Sequence, residues 1–107
     1  MTTWRVGAIL RENLSDTLKF ASWYLEAGAN GITLVFDDPE DPALSLLADH
    51  PKIDVFAATP DFWLELGRDP ADAFTKRQNA ALNWIYRYTE EDWLLNCLLY
   101  TSDAADE

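Results

Sequence analysis

Short apolar runs separated by helix-like segments constrain the fold of this chain more than any other feature. They cover residues 4–10, 32–36 and 53–58, and a fourth run begins at Trp93. Apolar runs of this length are typical of strands covered on both faces of a sheet. The order β-α-β-α-β-α-α-β therefore predicts an α/β domain with a mostly parallel sheet, right-handed crossovers and helices on both faces.

Capping residues predict where the helices begin. Ser15 is the predicted N-cap of the first helix. Residues 41–42 and 59–60 each combine a capping side chain with a proline, which predicts two further helix starts. The last helix is predicted to begin near residues 69–70 and to reach about Tyr88.

Composition narrows the functional class. The chain has 107 residues, enough for one domain, and its 19 acidic and 8 basic side chains give a net charge of −11. Nucleic-acid binding is disfavoured because a phosphate backbone requires a basic surface. No transmembrane segment is expected, since no apolar run approaches the ~20 residues that span a bilayer. The first residues lack the pattern of a signal peptide, so we expect a cytoplasmic protein.

Polar side chains at the predicted strand ends are the candidates for a binding site. Asp37 and Asp38 follow the second strand, where carboxylates could bind a ribose, a base edge or a cation. A solvated acidic loop is the alternative. Arg11 and Arg77 could bind a negatively charged substrate, or could be solvated surface residues. Asn79 could equally be a hydrogen-bonding residue of the helix packing.

Five segments of the chain carry short motifs in a definite order. An opening strand with a Glu-Asn pair is followed by a helix that ends at a Gly, and then by a strand that ends in Asp. Later come a helix with Arg-Gln-Asn and a strand preceded by Glu-Asp. The corresponding residues are 4–13, 21–29, 32–38, 76–82 and 91–95. In the order and spacing of these motifs, the chain resembles family 2-like glycosyltransferases over residues 4–95.

The resemblance implies a Rossmann-like nucleotide-binding half of the GT-A type, followed by an acceptor-binding half. It implies transfer of a sugar from a nucleoside-diphosphate sugar to an unknown acceptor, with Mg²⁺ or Mn²⁺ as cofactor. By carry-over, Arg11, Glu12 and Asp37 would line the nucleotide pocket. We predict that Asp38, which follows Asp37 at the strand end, also belongs to this nucleotide-sugar site. Arg77 and Asn79 would lie near the ribose and phosphates of the donor.

The chain departs from the family pattern at several positions. Glu12-Asn13 reverses the usual Asn-Glu order, and Tyr24 stands where a His is common. The two metal-ligating aspartates of the family would fall at Leu98 and Tyr100, neither of which binds a hard cation. We therefore expect the 107-residue chain to be inactive, although its gene encodes a glycosyltransferase.

The last eleven residues have a different character. Residues 97–107 resemble the in-frame translation of a transposase-type sequencing adapter. On this interpretation, residues 1–96 are a truncated glycosyltransferase domain with 16 acidic and 8 basic residues, or −8. The lone Cys97 then carries no information on redox compartment.

Two other functional classes fit the sequence. A receiver-like signalling module would use the acidic pair, although the pair follows the second strand rather than the first. A small acidic protein could instead bind partner proteins through exposed aromatic residues. No Gly-rich phosphate loop is present, which disfavours a dinucleotide-binding domain.

Overall fold

A parallel four-stranded sheet lies between two layers of helices. The computed structural model describes residues 2–69 and 71–100. The strands are β1 (Trp4–Arg11), β2 (Gly31–Phe36), β3 (Ile53–Ala57) and β4 (Trp93–Tyr100), and the helices are α1 (Leu14–Glu26), α2 (Pro42–Leu47), α3 (Pro60–Glu65) and α4 (Phe74–Tyr88). The strand order is β3-β2-β1-β4, with every neighbouring pair parallel. The predicted Rossmann-like α/β fold is confirmed.

Alternate side chains of the two central strands enter two separate apolar layers. One layer joins the sheet to α1 and α2, and its buried residues include Val6, Ala8, Leu10, Ala21, Ile32, Leu34, Phe36, Ala43 and Leu47. The other joins the sheet to α3 and α4, through Ile9, Val35, Trp63, Ala81 and Ile85 among others. Full burial of one large apolar side chain contributes roughly 2 kcal/mol, so both faces must be covered. The helices therefore lie on both faces, as predicted.

The strand order reverses between β1 and β4. The chain moves outward from β1 to β3 through α1 and α2, and then returns through α3 and α4 to place β4 beside β1. In open parallel sheets the crevice at such a reversal, beyond the carboxyl ends of the strands, is the usual ligand site. Arg11 ends β1 at this edge.

Two predicted helix starts are wrong by a few residues. The N-cap of α1 is Asn13 rather than Ser15, because the Asn13 carboxamide oxygen accepts the N–H of Asp16 at 2.8 Å. Helix α4 begins at Phe74 rather than near residue 69. Before it, the Asp69 carboxylate accepts the N–H of Ala71 at 2.8 Å, and this local turn competes with helix formation.

The other two predicted caps are confirmed. The Asp41 carboxylate accepts the N–H of Ala43 at 2.9 Å, and the Thr59 hydroxyl accepts the N–H of Phe62 at 3.2 Å. Both helices have a proline in the first turn. These two starts are local in origin, which is why the sequence alone predicts them.

Strand β4 continues across the proposed boundary between residues 96 and 97. Its backbone pairs Cys97 with Ala8, Leu98 with Ile9 and Tyr100 with Arg11. The remainder of the proposed tail, residues 101–107, lies outside the described residues. Within the described part of the chain, every helix is too short or too polar to cross a bilayer.

Candidate functional site at the carboxyl edge of the sheet

Asp37 is the centre of a charged cluster at the carboxyl edge of the sheet. It directly follows β2, and its N–H donates to the Leu10 carbonyl at 3.0 Å, which extends the pairing with β1 by one residue. Its side chain is 5% exposed. Arg77 donates from Nη1 to Oδ1 at 2.9 Å, and Nη1 of Arg11 lies 3.6 Å from Oδ2. The buried carboxylate is thus compensated by two guanidinium groups.

Arg77 is held in place from several directions. It lies in the first turn of α4, and its Nε donates to the Asp72 carbonyl at 3.2 Å. Its guanidinium lies over the ring of Trp63, 5.4 Å from the centroid. The side chain of Arg77 is 18% exposed, and Trp63 is almost fully buried. Cation–π contact and ion pairing together fix the orientation of this guanidinium.

Trp63 is a residue of this site that sequence reasoning missed. No sequence motif distinguishes Trp63 from the other aromatic residues of the chain. The available signal was its position in the helix that begins at Thr59–Pro60, just after the carboxyl end of β3. Any residue there lies close to the ligand edge of a parallel sheet.

Arg11 differs from Arg77 in its freedom to move. Its side chain is 62% exposed and its contact with Asp37 is long. The cluster of Arg11, Asp37 and Arg77 carries two positive charges and one negative charge. The exposed guanidinium of Arg11 can donate to an anion at this edge, although Glu12 and Asp38 next to the cluster are acidic, as is the chain as a whole.

The other three predicted site residues do not join this cluster. Asp38 is exposed, and its carboxylate accepts the N–H of Glu40 at 3.0 Å in a local turn. The carboxylate of Glu12 accepts the N–H of its neighbour Asn13 at 3.1 Å. Asn79 is exposed on α4. It lies two residues after Arg77, about 200° around the helix, so the two side chains leave α4 on different sides.

The residues of this edge do not fit the divalent cation that the resemblance implies. Each carboxylate oxygen of Asp37 faces a guanidinium group rather than an open position. Within residues 2–69 and 71–100, no group of three or more His, Cys, Asp or Glu side chains could hold a metal ion. The backbone register places positions 98 and 100 beside Ile9 and Arg11, but those positions are Leu and Tyr.

A second charged cluster lies at the opposite, amino end of the sheet. Arg5 donates to both carboxylate oxygens of Glu91, at 2.8 and 3.1 Å. Its Nη1 donates to the Thr33 hydroxyl at 3.0 Å and to Asp54 at 3.1 Å. This one side chain therefore connects β1, β2, β3 and the segment before β4. Sequence reasoning missed it because its partners are 28 to 86 residues away.

Arg5 and Glu91 of this second cluster each shift the pKa of the other. The hydrogen bond from Arg5 lowers the pKa of the Glu91 carboxyl below its ordinary value, against the opposing effect of burial. Burial alone would lower the pKa of Arg5, but the hydrogen bond and charge of Glu91 and the charge of Asp54 raise it. Both groups therefore remain ionised as a pair. A cavity of about 510 Å³, lined by these three residues together with Arg87, Tyr88 and Glu90, opens beside them.

Comparison with known proteins identifies no relative. Models of known protein families, curated proteins and solved structures all give no match to this chain.

Proposed function

We propose that this chain is the nucleotide-binding half of a family 2-like glycosyltransferase and that its Arg11–Asp37–Arg77 cluster binds the diphosphate of a nucleoside-diphosphate sugar. The observation that carries the proposal is the nearly buried Asp37 carboxylate at the carboxyl end of β2, with a guanidinium on each oxygen. The cluster lies next to the strand-order reversal, where ligands of such sheets bind.

The two arginines support different parts of this role. Arg77 is pre-positioned by Asp37, by the Asp72 carbonyl and by Trp63, so it loses little entropy when it binds a phosphate. Arg11 is exposed and makes a long contact, so it can turn towards a ligand without breaking a short hydrogen bond. In addition, no side chain caps the amino end of α4, which leaves backbone N–H groups near Arg77 for an anion.

In this proposal the described residues bind and orient the nucleoside-diphosphate sugar, and none of them carries out the transfer step. Mg²⁺ or Mn²⁺ would neutralise the leaving diphosphate in an active transferase, but the residues present here do not hold such an ion. Asp37 orients Arg77 and Arg11, and both arginines position the diphosphate. We therefore assign nucleotide binding to this chain and expect no sugar transfer by it.

Equilibrium binding of UDP and GDP, measured by calorimetry on the 107-residue chain, tests the proposal. We expect saturable binding of at least one nucleotide. Arg77→Gln and Arg11→Gln should each weaken it by about tenfold, since one charge-assisted hydrogen bond contributes roughly 1.5 kcal/mol. Arg87→Gln is the matched control, because it removes an exposed arginine from the far end of α4.

Two results would contradict the nucleotide site. One is the absence of binding by the folded chain at millimolar nucleotide. The other is an equal loss of affinity in Arg87→Gln and in the two cluster variants, which would indicate a nonspecific charge effect.

Restoration of the missing carboxylates gives a separate test of the family resemblance. The backbone register places position 98 beside Ile9 and position 100 beside Arg11, towards the carboxyl edge of the sheet. The double variant Leu98→Asp/Tyr100→Asp should gain Mn²⁺ binding in the presence of the nucleotide, whereas each single variant should gain little. If the folded double variant binds the nucleotide but no Mn²⁺, the alignment of these positions with the family motif is wrong.

The receiver-like module remains the alternative function. It predicts that acetyl phosphate labels Asp37 or Asp38. The pairing of Asp37 with two arginines argues against it, because a carboxylate held by two guanidinium groups is a weak nucleophile. A protein-binding role would use exposed aromatic residues, of which Trp23, Tyr86 and Trp93 are about 70% exposed. It predicts neither nucleotide binding nor labelling.

A further inference from the structure

Asp37 lies where a carboxylate could recognise the nucleoside part of a nucleotide. It directly follows β2, which is the neighbour of β1 in the sheet, and its N–H donates to the Leu10 carbonyl at 3.0 Å. In parallel sheets that bind dinucleotides, an acidic side chain near the phosphate site accepts a hydrogen bond from the ribose. The surroundings of the Asp37 carboxylate therefore decide whether this site can distinguish one nucleoside from another.

The Asp37 carboxylate is almost inaccessible to a ligand. Its side chain is 5% exposed, and its two oxygens face different guanidinium groups, Oδ1 at 2.9 Å from Arg77 and Oδ2 at 3.6 Å from Arg11. The side chain of Arg11 is 62% exposed, so an incoming ligand reaches this guanidinium more easily than the carboxylate behind it. A ribose hydroxyl would reach Asp37 only after a guanidinium had moved away.

The aromatic side chain of the site is equally closed to a base. Trp63 is 2% exposed, and the guanidinium of Arg77 lies 5.4 Å from its ring centroid. Phe62 packs edge-on against the same ring, with centroids 5.2 Å apart. Bases stack on aromatic side chains whose ring faces are accessible. Trp63 therefore supports Arg77 and does not stack on a base.

Two further carboxylates at this edge bond their own backbone. Asp38 accepts the N–H of Glu40 at 3.0 Å, and Glu12 accepts the N–H of Asn13 at 3.1 Å. Each contact lies within two residues along the chain, so the local turn sets the direction of the carboxylate. The two arginines are thus the groups of this edge that suit a ligand, and a guanidinium matches the geometry of phosphate oxygens.

We infer that the Arg11–Asp37–Arg77 cluster recognises the diphosphate of its ligand and does not distinguish the nucleoside attached to it, an inference that rests on the proposed function of the cluster. The ligands of this site are then diphosphate esters in general, together with inorganic pyrophosphate. Asp37 is a positioning residue: it holds both guanidinium groups and does not touch the ligand.

Calorimetry on the 107-residue chain, at one pH and one salt concentration and without divalent metal, compares four ligands. These are UDP, GDP, 2′-deoxy-UDP and inorganic pyrophosphate. We expect their dissociation constants to agree within about threefold, because a single added hydrogen bond to the nucleoside would already give about tenfold. Uridine, which lacks the diphosphate, should not bind. A constant salt concentration is needed because salt screens the attraction between phosphates and arginines.

Asp37→Asn separates positioning from contact. A positioning carboxylate affects UDP and pyrophosphate by the same factor, so the ratio of their affinities should stay at its natural value. A carboxylate that bonds the ribose would instead affect UDP alone and lower this ratio by about tenfold. Asp49→Asn is the matched control, since it removes an exposed carboxylate before β3, at the opposite edge of the sheet. If Asp37→Asn fails to fold, the four-ligand comparison on the natural chain remains decisive.

Three outcomes would overturn the inference. The first is UDP or GDP binding more than tenfold tighter than pyrophosphate. The second is a difference of more than tenfold between UDP and GDP, or between UDP and its 2′-deoxy analogue. The third is a lower ratio of UDP to pyrophosphate affinity in Asp37→Asn but not in Asp49→Asn. Each of these contradicts the recognition of the diphosphate alone, whereas a folded chain that binds neither UDP nor GDP contradicts the proposed function itself.

Discussion

Arg5 and Glu91 form a two-point ion pair that ties the start of β1 to the segment before β4. The nitrogen–oxygen distances are 2.8 and 3.1 Å, and the two residues are 86 positions apart in sequence. Both side chains are less than one-fifth exposed. The same guanidinium donates to Thr33 of β2 and Asp54 of β3, so one side chain connects three strands and the segment before β4.

Loss of the Glu91 charge should destabilise the fold. We expect Glu91→Gln to reduce the free energy of unfolding by about 2 kcal/mol, since a hydrogen bond to a charged group contributes roughly that amount and Arg5 stays largely buried. Urea denaturation measures the change. Glu90→Gln, an exposed neighbour, should change stability by less than about 0.5 kcal/mol. Equal effects of the two variants would contradict a specific role for the pair.

The same pair should make stability depend on pH on the acid side. Arg5 lowers the pKa of Glu91 in the folded state, so the unfolded chain binds a proton more readily. The contribution of Glu91 is therefore complete above its unfolded pKa and is lost as pH falls through its lower folded pKa. The stability difference between the natural chain and Glu91→Gln should shrink over that range. A difference independent of pH would refute this linkage.

Gly31 allows Arg5 to cross β2. A Cβ at position 31 would overlap the Arg5 guanidinium, because its separations from Nη2 and Cζ would be far below van der Waals contact. Gly31→Ala should therefore lower the free energy of unfolding by about 1–3 kcal/mol, although alanine is normally favoured over glycine in a strand. In an Arg5→Ala background most of this cost should disappear, because the overlapping group is gone. If Gly31→Ala lowers the free energy of unfolding by the same amount in that background, a glycine is required at position 31 for another reason.

Thr17 offers a site at which stability should increase. It is fully buried in α1, and its hydroxyl has no hydrogen-bond partner among the described residues. Thr17→Val keeps the shape and removes the unsatisfied hydroxyl, so we expect a gain of about 1 kcal/mol. Thr17→Ser keeps the hydroxyl and loses a methyl group, and should destabilise. Thermal unfolding compares the three chains; a less stable Thr17→Val chain would mean that the hydroxyl has a partner.

The order of elements was predictable because its determinants are local. Buried strands appear as continuous apolar runs, and a proline beside Asp41 or Thr59 marks a helix start within two residues. Local signals were ambiguous where several capping residues compete. Asn13 rather than Ser15 caps α1, and the turn at Asp69 delays α4 to Phe74.

The candidate site was predictable only in part. The rule that ligands lie beyond strand ends selected Arg11 and Asp37, and motif resemblance selected Arg77. The strand-end rule also selected Asp38, and the resemblance also selected Glu12 and Asn79. The structure places these three residues in local turns or on an exposed helix surface. The position of a residue in the sequence determines whether it lies at an edge of the sheet. The direction in which its side chain leaves the strand or helix determines which groups it contacts.

The sequence by itself determined the α/β order, the parallel sheet and the edge where charged residues collect, since each follows from local periodicity and capping. Only the tertiary structure decided that Asp37 pairs with Arg11 and Arg77, that Trp63 supports Arg77, and that Arg5 reaches Glu91. Those contacts join residues 14 to 86 positions apart. They depend on strand order and side-chain direction, which no local pattern encodes.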